Sequence, residues 1–286
     1  MGNEVTLVQI IDDVMSRLTS LYGQREAKWM VRIILENVKG YSPVDVVLHR
    51  DEVLSDFIVD KIEDVTNRLL KQEPIQYIFG SARFYGNSFK VTPATLIPRP
   101  ETEELVALID KENRDTDLRV LDVGTGSGCI AVTLARVLRF PIVDAIDISD
   151  DALAVAHENA QSLRVKVNFK KGDALAMEKP KTPIYDIIVS NPPYIADKER
   201  AEMSQNVLRY EPHLALFVPD DDPLRFYRAI GEYGIKALKM GGRLYFEINP
   251  LFVDDMRIML ETMEYVNIRV VRDLPGKERM MVAVKP

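Results

Sequence analysis

From Arg119 onward the chain alternates strand-like and helix-like apolar runs, and only a short stretch holding Pro275-Gly276 separates its last two strand-like runs. Such alternation builds a parallel sheet with helices on both faces, because a parallel crossover needs a connection of helical length. The closing pair has no room for a crossover and must form an antiparallel hairpin at one edge. The pattern places strands at Arg119–Val123, Ile142–Ile148, Lys166–Lys170, Tyr185–Ser190, Arg243–Ile248, Val266–Asp273 and Met280–Lys285. Helices fall at Cys129–Leu138, Ala152–Leu163, Leu224–Leu238 and Phe252–Met263, with an insert near 195–222. The fold class is α/β, with a mostly parallel seven-stranded sheet.

Residues 4 to about 73 carry the helical period instead. One apolar stripe includes Val8, Ile11, Val14 and Leu18, a second runs through Trp29, Ile33, Ile34 and Val38, and a third through Phe57, Ile58, Ile62, Val65 and Leu69. Gly40 supplies a stop, and Ser42-Pro43 restarts a short helix with proline in its first turn. From 75 to 95 the period changes. Ile75, Tyr77 and Phe79 alternate, as do Phe84, Phe89 and Val91, with Gly80, Gly86 and Asn87 as turn residues, which predicts a β-hairpin. The chain therefore divides into a helical bundle (1–73), a linking hairpin (74–95) and an α/β domain (96–286). The Met1-Gly2 start, with Thr6 after it, is read as leading into a helix rather than as an acylation signal.

Composition narrows the function classes. One cysteine, Cys129, excludes a disulfide framework, and His49, His157 and His213 have no paired ligand spacing, so no metal site is expected. Acidic residues near the N-terminus argue against a secretory signal, no apolar run approaches the roughly 20 residues of a membrane span, and the cytoplasm is the simplest location. A net charge of −7 argues against a surface for stable nucleic-acid binding.

The first α/β strand ends in Leu121-Asp122-Val123-Gly124-Thr125-Gly126-Ser127-Gly128, and a helix follows at once. In open α/β sheets ligands bind beyond the carboxyl ends of the strands. Asp147 ends the next strand, about 20 residues on, where a carboxylate can accept both hydroxyls of a ribose. A dinucleotide fingerprint would need G-x-G-x-x-G, but the third glycine's position is Cys129, and the terminal hairpin is foreign to that fold. Both points favour S-adenosylmethionine. Candidate cofactor contacts are Gly124, Thr125, Gly126, Ser127, Gly128, Asp147 with Ile148, Asp173 with Ala174 at the adenine edge, and Asn191.

The fourth strand runs into Asn191-Pro192-Pro193-Tyr194. Two prolines rigidify the backbone and remove two N–H donors, leaving carbonyls that only accept. A fixed Asn carbonyl beside a fixed proline carbonyl suits a planar NH2 group, each acceptor taking one N–H. Asn191, Pro192 and Tyr194 are the candidate catalytic residues. Pro193, Ile97 and Arg99 join Asn191, Pro192 and Tyr194 as candidate substrate contacts, with the Tyr194 ring as a flat wall. The motif leaves both an amide and an adenine amine open as acceptor.

Over nearly its whole length the chain resembles the bacterial release-factor glutamine methyltransferases (the PrmC or HemK family). The resemblance rests on Pro74-Ile75-Gln76-Tyr77-Ile78 with Gly80, Phe84-Tyr85-Gly86, Ile97-Pro98-Arg99-Pro100-Glu101-Thr102-Glu103, Asp122–Gly128, Asn191–Tyr194, Tyr210-Glu211-Pro212 and Gly276-Lys277-Glu278-Arg279. It implies a class I S-adenosylmethionine methyltransferase fold with an antiparallel terminal hairpin and a small N-terminal helical domain. It also implies methylation of the side-chain N5 of the glutamine in the Gly-Gly-Gln loop of peptide chain release factors, the helical domain helping to dock them. N6-adenine methylation, which shares the Asn-Pro-Pro-Tyr motif, is the alternative. Two positions depart from the family pattern: Ala174 stands where relatives often carry an aromatic, and Asn249 follows Glu247-Ile248 where glycine is common. Asn249 is assigned no ligand role.

Overall fold

The computed structural model describes residues 4–286, so the Met1-Gly2 start lies outside the described residues. The chain separates into two compact units: the segment up to Gly80 together with Gln205–Tyr210, and Ser81–Ser204 together with Glu211–Pro286.

In the first unit, α1 (Leu7–Tyr22), α2 (Gln24–Lys39), α3 (Pro43–Leu48) and α4 (Asp56–Leu70) surround an aliphatic core. The Thr6 backbone amide donates to Gln9 Oε1 at 2.9 Å, so Thr6 does open a helix. Ser42 likewise caps α3, its hydroxyl accepting from the Asp45 amide. The buried face of α2 follows Ala27, Met30, Val31, Ile34 and Leu35, whereas Trp29 is half exposed. Adjacent apolar residues offered α2 two faces, and packing against α1 and α4 selected one.

Ile75–Phe79 is not a strand. It forms a helical turn, α5, in which the Tyr77 and Ile78 amides donate to the Pro74 carbonyl, and Gly80 ends it. Five residues are too few to separate a period of 2 from one of 3.6 when both bury Ile75 and Tyr77. The hairpin itself is shorter than expected, pairing β1 (Ser81–Phe84) with β2 (Asn87–Lys90). Tyr85 and Gly86 form its two-residue turn, both with positive φ, as the twist of a tight hairpin requires.

The second unit continues through α6 (Pro100–Glu112), β3 (Arg119–Val123), α7 (Cys129–Val137), β4 (Ile142–Asp147), α8 (Asp150–Ser162), β5 (Asn168–Lys171) and β6 (Tyr185–Ser190). A two-stranded parallel pair, β7 (Ile195–Ala196) and β8 (Phe217–Val218), brackets α9 (Gln205–Tyr210), which belongs to the helical unit. Then come α10 (Arg225–Ala237), β9 (Leu238–Glu247), α11 (Val253–Thr262), β10 (Val266–Arg272) and β11 (Glu278–Val284).

Among the described residues seven strands form the main sheet, in the order β10-β11-β9-β6-β3-β4-β5. Strands β9, β6, β3, β4 and β5 run parallel, and β11 lies antiparallel to both β9 and β10, as the short closing connection required. Pleating sends Val120, Ile187 and Tyr245 to one face against α6 and α7, and Leu121, Ile188 and Leu244 to the other against α10 and α11. From β3 the chain steps outward to β4 and β5, then returns to β6 on the opposite side. That reversal places the switch point between the carboxyl ends of β3 and β6. No described helix is long and apolar enough to cross a membrane.

Candidate active site

The turn from β3 into α7 holds Gly124, Gly126 and Gly128, all at positive φ. Only at Gly128 is space also short: a Cβ there would sit 3.0 Å from Ala156 Cβ on α8. The turn is tied to β4 by its own amides. Gly124 and Thr125 both donate to the Ile146 carbonyl, and Gly126 donates to Asp147 Oδ2 at 2.7 Å. The other Asp147 oxygen accepts from the Ser149 amide at 3.0 Å, so each carboxylate oxygen keeps a further lone pair.

Beneath the turn lies Asp122, fully buried, its Oδ2 accepting from Thr125 Oγ1 at 2.6 Å and from the Ala131 amide at 3.2 Å. Burial pushes its carboxyl up to about 7, although the Thr125 and Ala131 bonds pull the other way. Burial likewise pushes the Cys129 thiol up to about 12, which keeps it from forming the thiolate a nucleophile would need.

A cavity of about 470 Å³ opens beyond the ends of β3, β4 and β6. Its wall includes Gly124 to Ser127, Asp147, Ile148, Asp173, Ala174 and Asn191 to Pro193, which the fold brings together from four separate stretches of sequence. Gly128, Ile97 and Tyr194 do not line it; Gly128 caps α7, and Ile97 is buried. One Asp173 oxygen accepts from the Leu175 amide at 2.8 Å. Ala174 packs into the core on the α10–α11 face, and the apolar surface expected beside Asp173 is supplied by Leu175. Leu175 and Ile148 are both partly exposed on the cavity wall, a pair of apolar faces suited to a flat ring. The cavity volume, the acceptor carboxylate, the glycine turn and these faces all fit S-adenosylmethionine.

The acceptor segment is held on three sides. Ser190 Oγ donates to the Val123 carbonyl at 2.7 Å, locking the end of β6 to β3. Asn191 Nδ2 donates to Thr102 Oγ1 at 3.3 Å, and Thr102 Oγ1 donates to Glu247 Oε2 at 2.6 Å. Tyr194 Oη donates to the other Glu247 oxygen at 3.1 Å. Burial raises both the Glu247 carboxyl and, strongly, the Tyr194 phenol above their ordinary values. Asn249 completes the clamp: its Nδ2 donates to the Tyr194 carbonyl at 3.1 Å and to Glu199 Oε1 at 2.9 Å. Its departure from the family pattern thus has a mechanical role. On the far side, buried Glu211 accepts from the Ile97 amide at 3.3 Å and from Arg99 Nη2, so the Ile97–Arg99 loop is braced by the segment after α9.

Thr102, Leu175, Glu211 and Glu247 went unassigned by sequence reasoning. Thr102 and Glu211 stood inside recognised motifs, but the pairing of Thr102 with Glu247 spans 145 positions and carries no local signal.

A sheet with this strand order and an antiparallel strand inserted next to its edge defines the class of S-adenosylmethionine-dependent methyltransferases. In keeping with it, residues 101–213 match the Methyltransferase small domain family. A methyltransferase from Pyrococcus furiosus shares the fold, with a TM-score of 0.54 at 16% identity over 78% of this chain and 98% of that one. Residues 9–80 match the PrmC N-terminal domain. The release factor glutamine methyltransferase of Bacteroides thetaiotaomicron is 48% identical over 93% of this chain and 95% of its own length. That of Flavobacterium psychrophilum is 44% identical over 92% and 94%. The chain belongs to the release factor glutamine methyltransferase family. It is a methyltransferase, and its cofactor is S-adenosylmethionine.

Proposed function

We propose that this chain transfers a methyl group from S-adenosylmethionine to the side-chain N5 of the glutamine in the Gly-Gly-Gln motif of peptide chain release factors, and so modulates translation termination. The observation that carries the reading is the Asn191 amide. Its Nδ2 donates to Thr102, so its Oδ1 is the end left to meet the group to be methylated.

Bound in the cavity, S-adenosylmethionine supplies an electrophilic methyl carbon. The residues of the chain do the rest. Asp147 takes the ribose hydroxyls on its remaining lone pairs, and Ile148 and Leu175 flank the adenine. Asp173 meets the adenine amino edge with its second oxygen. The turn from Gly124 to Ser127 lines the floor.

An amide nitrogen is a poor nucleophile because its lone pair is delocalised into the carbonyl. Asn191 Oδ1 and the Pro192 carbonyl each accept one N–H, which turns the amide plane and stabilises the positive charge that grows on nitrogen. Pro192 and Pro193 hold these acceptors without rearrangement during the reaction, and Tyr194, its hydroxyl donating to buried Glu247, anchors the segment from behind. No side chain needs to remove a proton before attack, since the N–H becomes acidic only once nitrogen is cationic.

The helical unit docks the release factor. Val44, Val47, Leu48 and Phe57 on it are well exposed, which supports a protein partner for this unit. A cytoplasmic location suits such a partner. Purified protein incubated with methyl-labelled S-adenosylmethionine should label a release factor and not nucleic acid. Label found only in nucleic acid would overturn the assignment.

A further inference from the structure

We propose that Thr102 and Glu247 are positioning residues that set which end of the Asn191 amide faces the acceptor. The proposal rests on the acceptor role given to Asn191 above.

The two ends of an asparagine amide are nearly the same size, so shape alone does not choose between them; the hydrogen-bond partner does. A threonine hydroxyl has one proton to donate. In this site that proton goes to Glu247 Oε2 at 2.6 Å, so the side of Thr102 Oγ1 that faces Asn191 presents a lone pair. A lone pair accepts from Nδ2, at 3.3 Å, and cannot accept from Oδ1. The carboxylate therefore acts through the hydroxyl: an acceptor at Glu247 makes Thr102 an acceptor toward Asn191, which leaves Oδ1 as the free end.

Glu247 accepts a second hydroxyl hydrogen bond, from Tyr194 at 3.1 Å, and so fixes both flanks of the Asn-Pro-Pro-Tyr segment at once. Only a carboxylate offers two acceptor atoms in this geometry. Thr102, on the first turn of α6, and Glu247, at the end of β9, are both almost fully buried. A buried carboxylate bonded to hydroxyls is a costly way to join a helix to a strand, and an apolar pair would serve packing better. The arrangement is explained when its product is a directed polarity at Asn191.

Three variants test this: Thr102→Val, which keeps the shape and removes the hydroxyl; Thr102→Ser, which restores it; and Glu247→Gln, which offers one acceptor where two are needed. Two readouts are combined. The first, independent of any acceptor, is hydrogen exchange of the Asn191 side-chain amide by NMR, assigned through its loss in Asn191→Asp. One Nδ2 hydrogen should be protected in the wild type and unprotected in Thr102→Val. The second is turnover with a release factor. Thr102→Val and Glu247→Gln should lower kcat on the order of 10- to 100-fold with the KM for S-adenosylmethionine little changed, and Thr102→Ser should recover most of the loss. Cofactor binding measured by calorimetry reports that each variant is folded. Wild-type kcat in Thr102→Val, or an unprotected Asn191 amide in the wild type, would overturn the proposal. A protected amide in a wild-type enzyme that does not methylate release factors would refute the assigned substrate and support the positioning.

Discussion

The Gly126 amide and Asp147 Oδ2 meet at 2.7 Å, joining the turn after β3 to the end of the neighbouring parallel strand β4. One carboxylate thereby both shapes the glycine turn and faces the cavity. Asp147→Asn replaces one acceptor oxygen by an NH2 group that must face a backbone donor or a ligand hydroxyl. The dissociation constant for S-adenosylmethionine should rise by about 10- to 100-fold, read by calorimetry, since a bond to a charged acceptor contributes roughly 1.5–3 kcal/mol. Unchanged affinity would remove Asp147 from the cofactor site.

Asn191→Ala removes the side-chain acceptor and leaves the walls around Asp147 intact. Methyl transfer should fall by at least about 100-fold in single-turnover measurements, the scale of deleting one preorganised donor or acceptor at a reacting group. Cofactor affinity should stay within a few-fold. Retained turnover would show that the NH2 group is held elsewhere.

Gly128→Ala meets two obstacles together, a backbone at φ +79° and the Ala156 methyl 3.0 Å from the new Cβ. The substitution should destabilise the α/β unit by about 1–3 kcal/mol, measured as a lower urea midpoint, and weaken cofactor binding with it. An Ala variant as stable as the wild type would mean that the turn relaxes freely.

Asp122 makes stability depend on pH. Burial raises its folded pKa to about 7 from an ordinary 3.8, so the folded state holds a proton that the unfolded chain releases. The sign follows: this contribution is fully present below about pH 4, declines as pH rises, and is lost above about pH 7, with a swing on the order of 4 kcal/mol. Asp122→Asn cannot titrate, yet keeps an acceptor for Thr125 and Ala131. Urea unfolding between pH 4 and 7 should show a shallower decline in stability for this variant. Parallel slopes for the two proteins would refute the shifted carboxyl.

Much of the molecule follows from local pattern. Strand and helix periods, glycine spacing and the short Pro275-Gly276 connection are properties of neighbours in the chain, so the parallel sheet, its antiparallel closing hairpin and the two loops that face the cavity were legible from residues alone. Where local patterns were degenerate, tertiary packing decided: Ile75–Phe79 became a helical turn, and α2 turned Ile34 rather than Trp29 inward. The same holds within the site. Asn191–Tyr194 announces carbonyl acceptors, but the direction of the Asn191 amide depends on Thr102 and Glu247, which come from α6 and β9 and meet only once the sheet is assembled. Dihedral preference and periodicity act over a few residues, so sequence alone determines them. A hydrogen bond depends on distance and direction in space, and for residues 145 positions apart only the folded structure sets both.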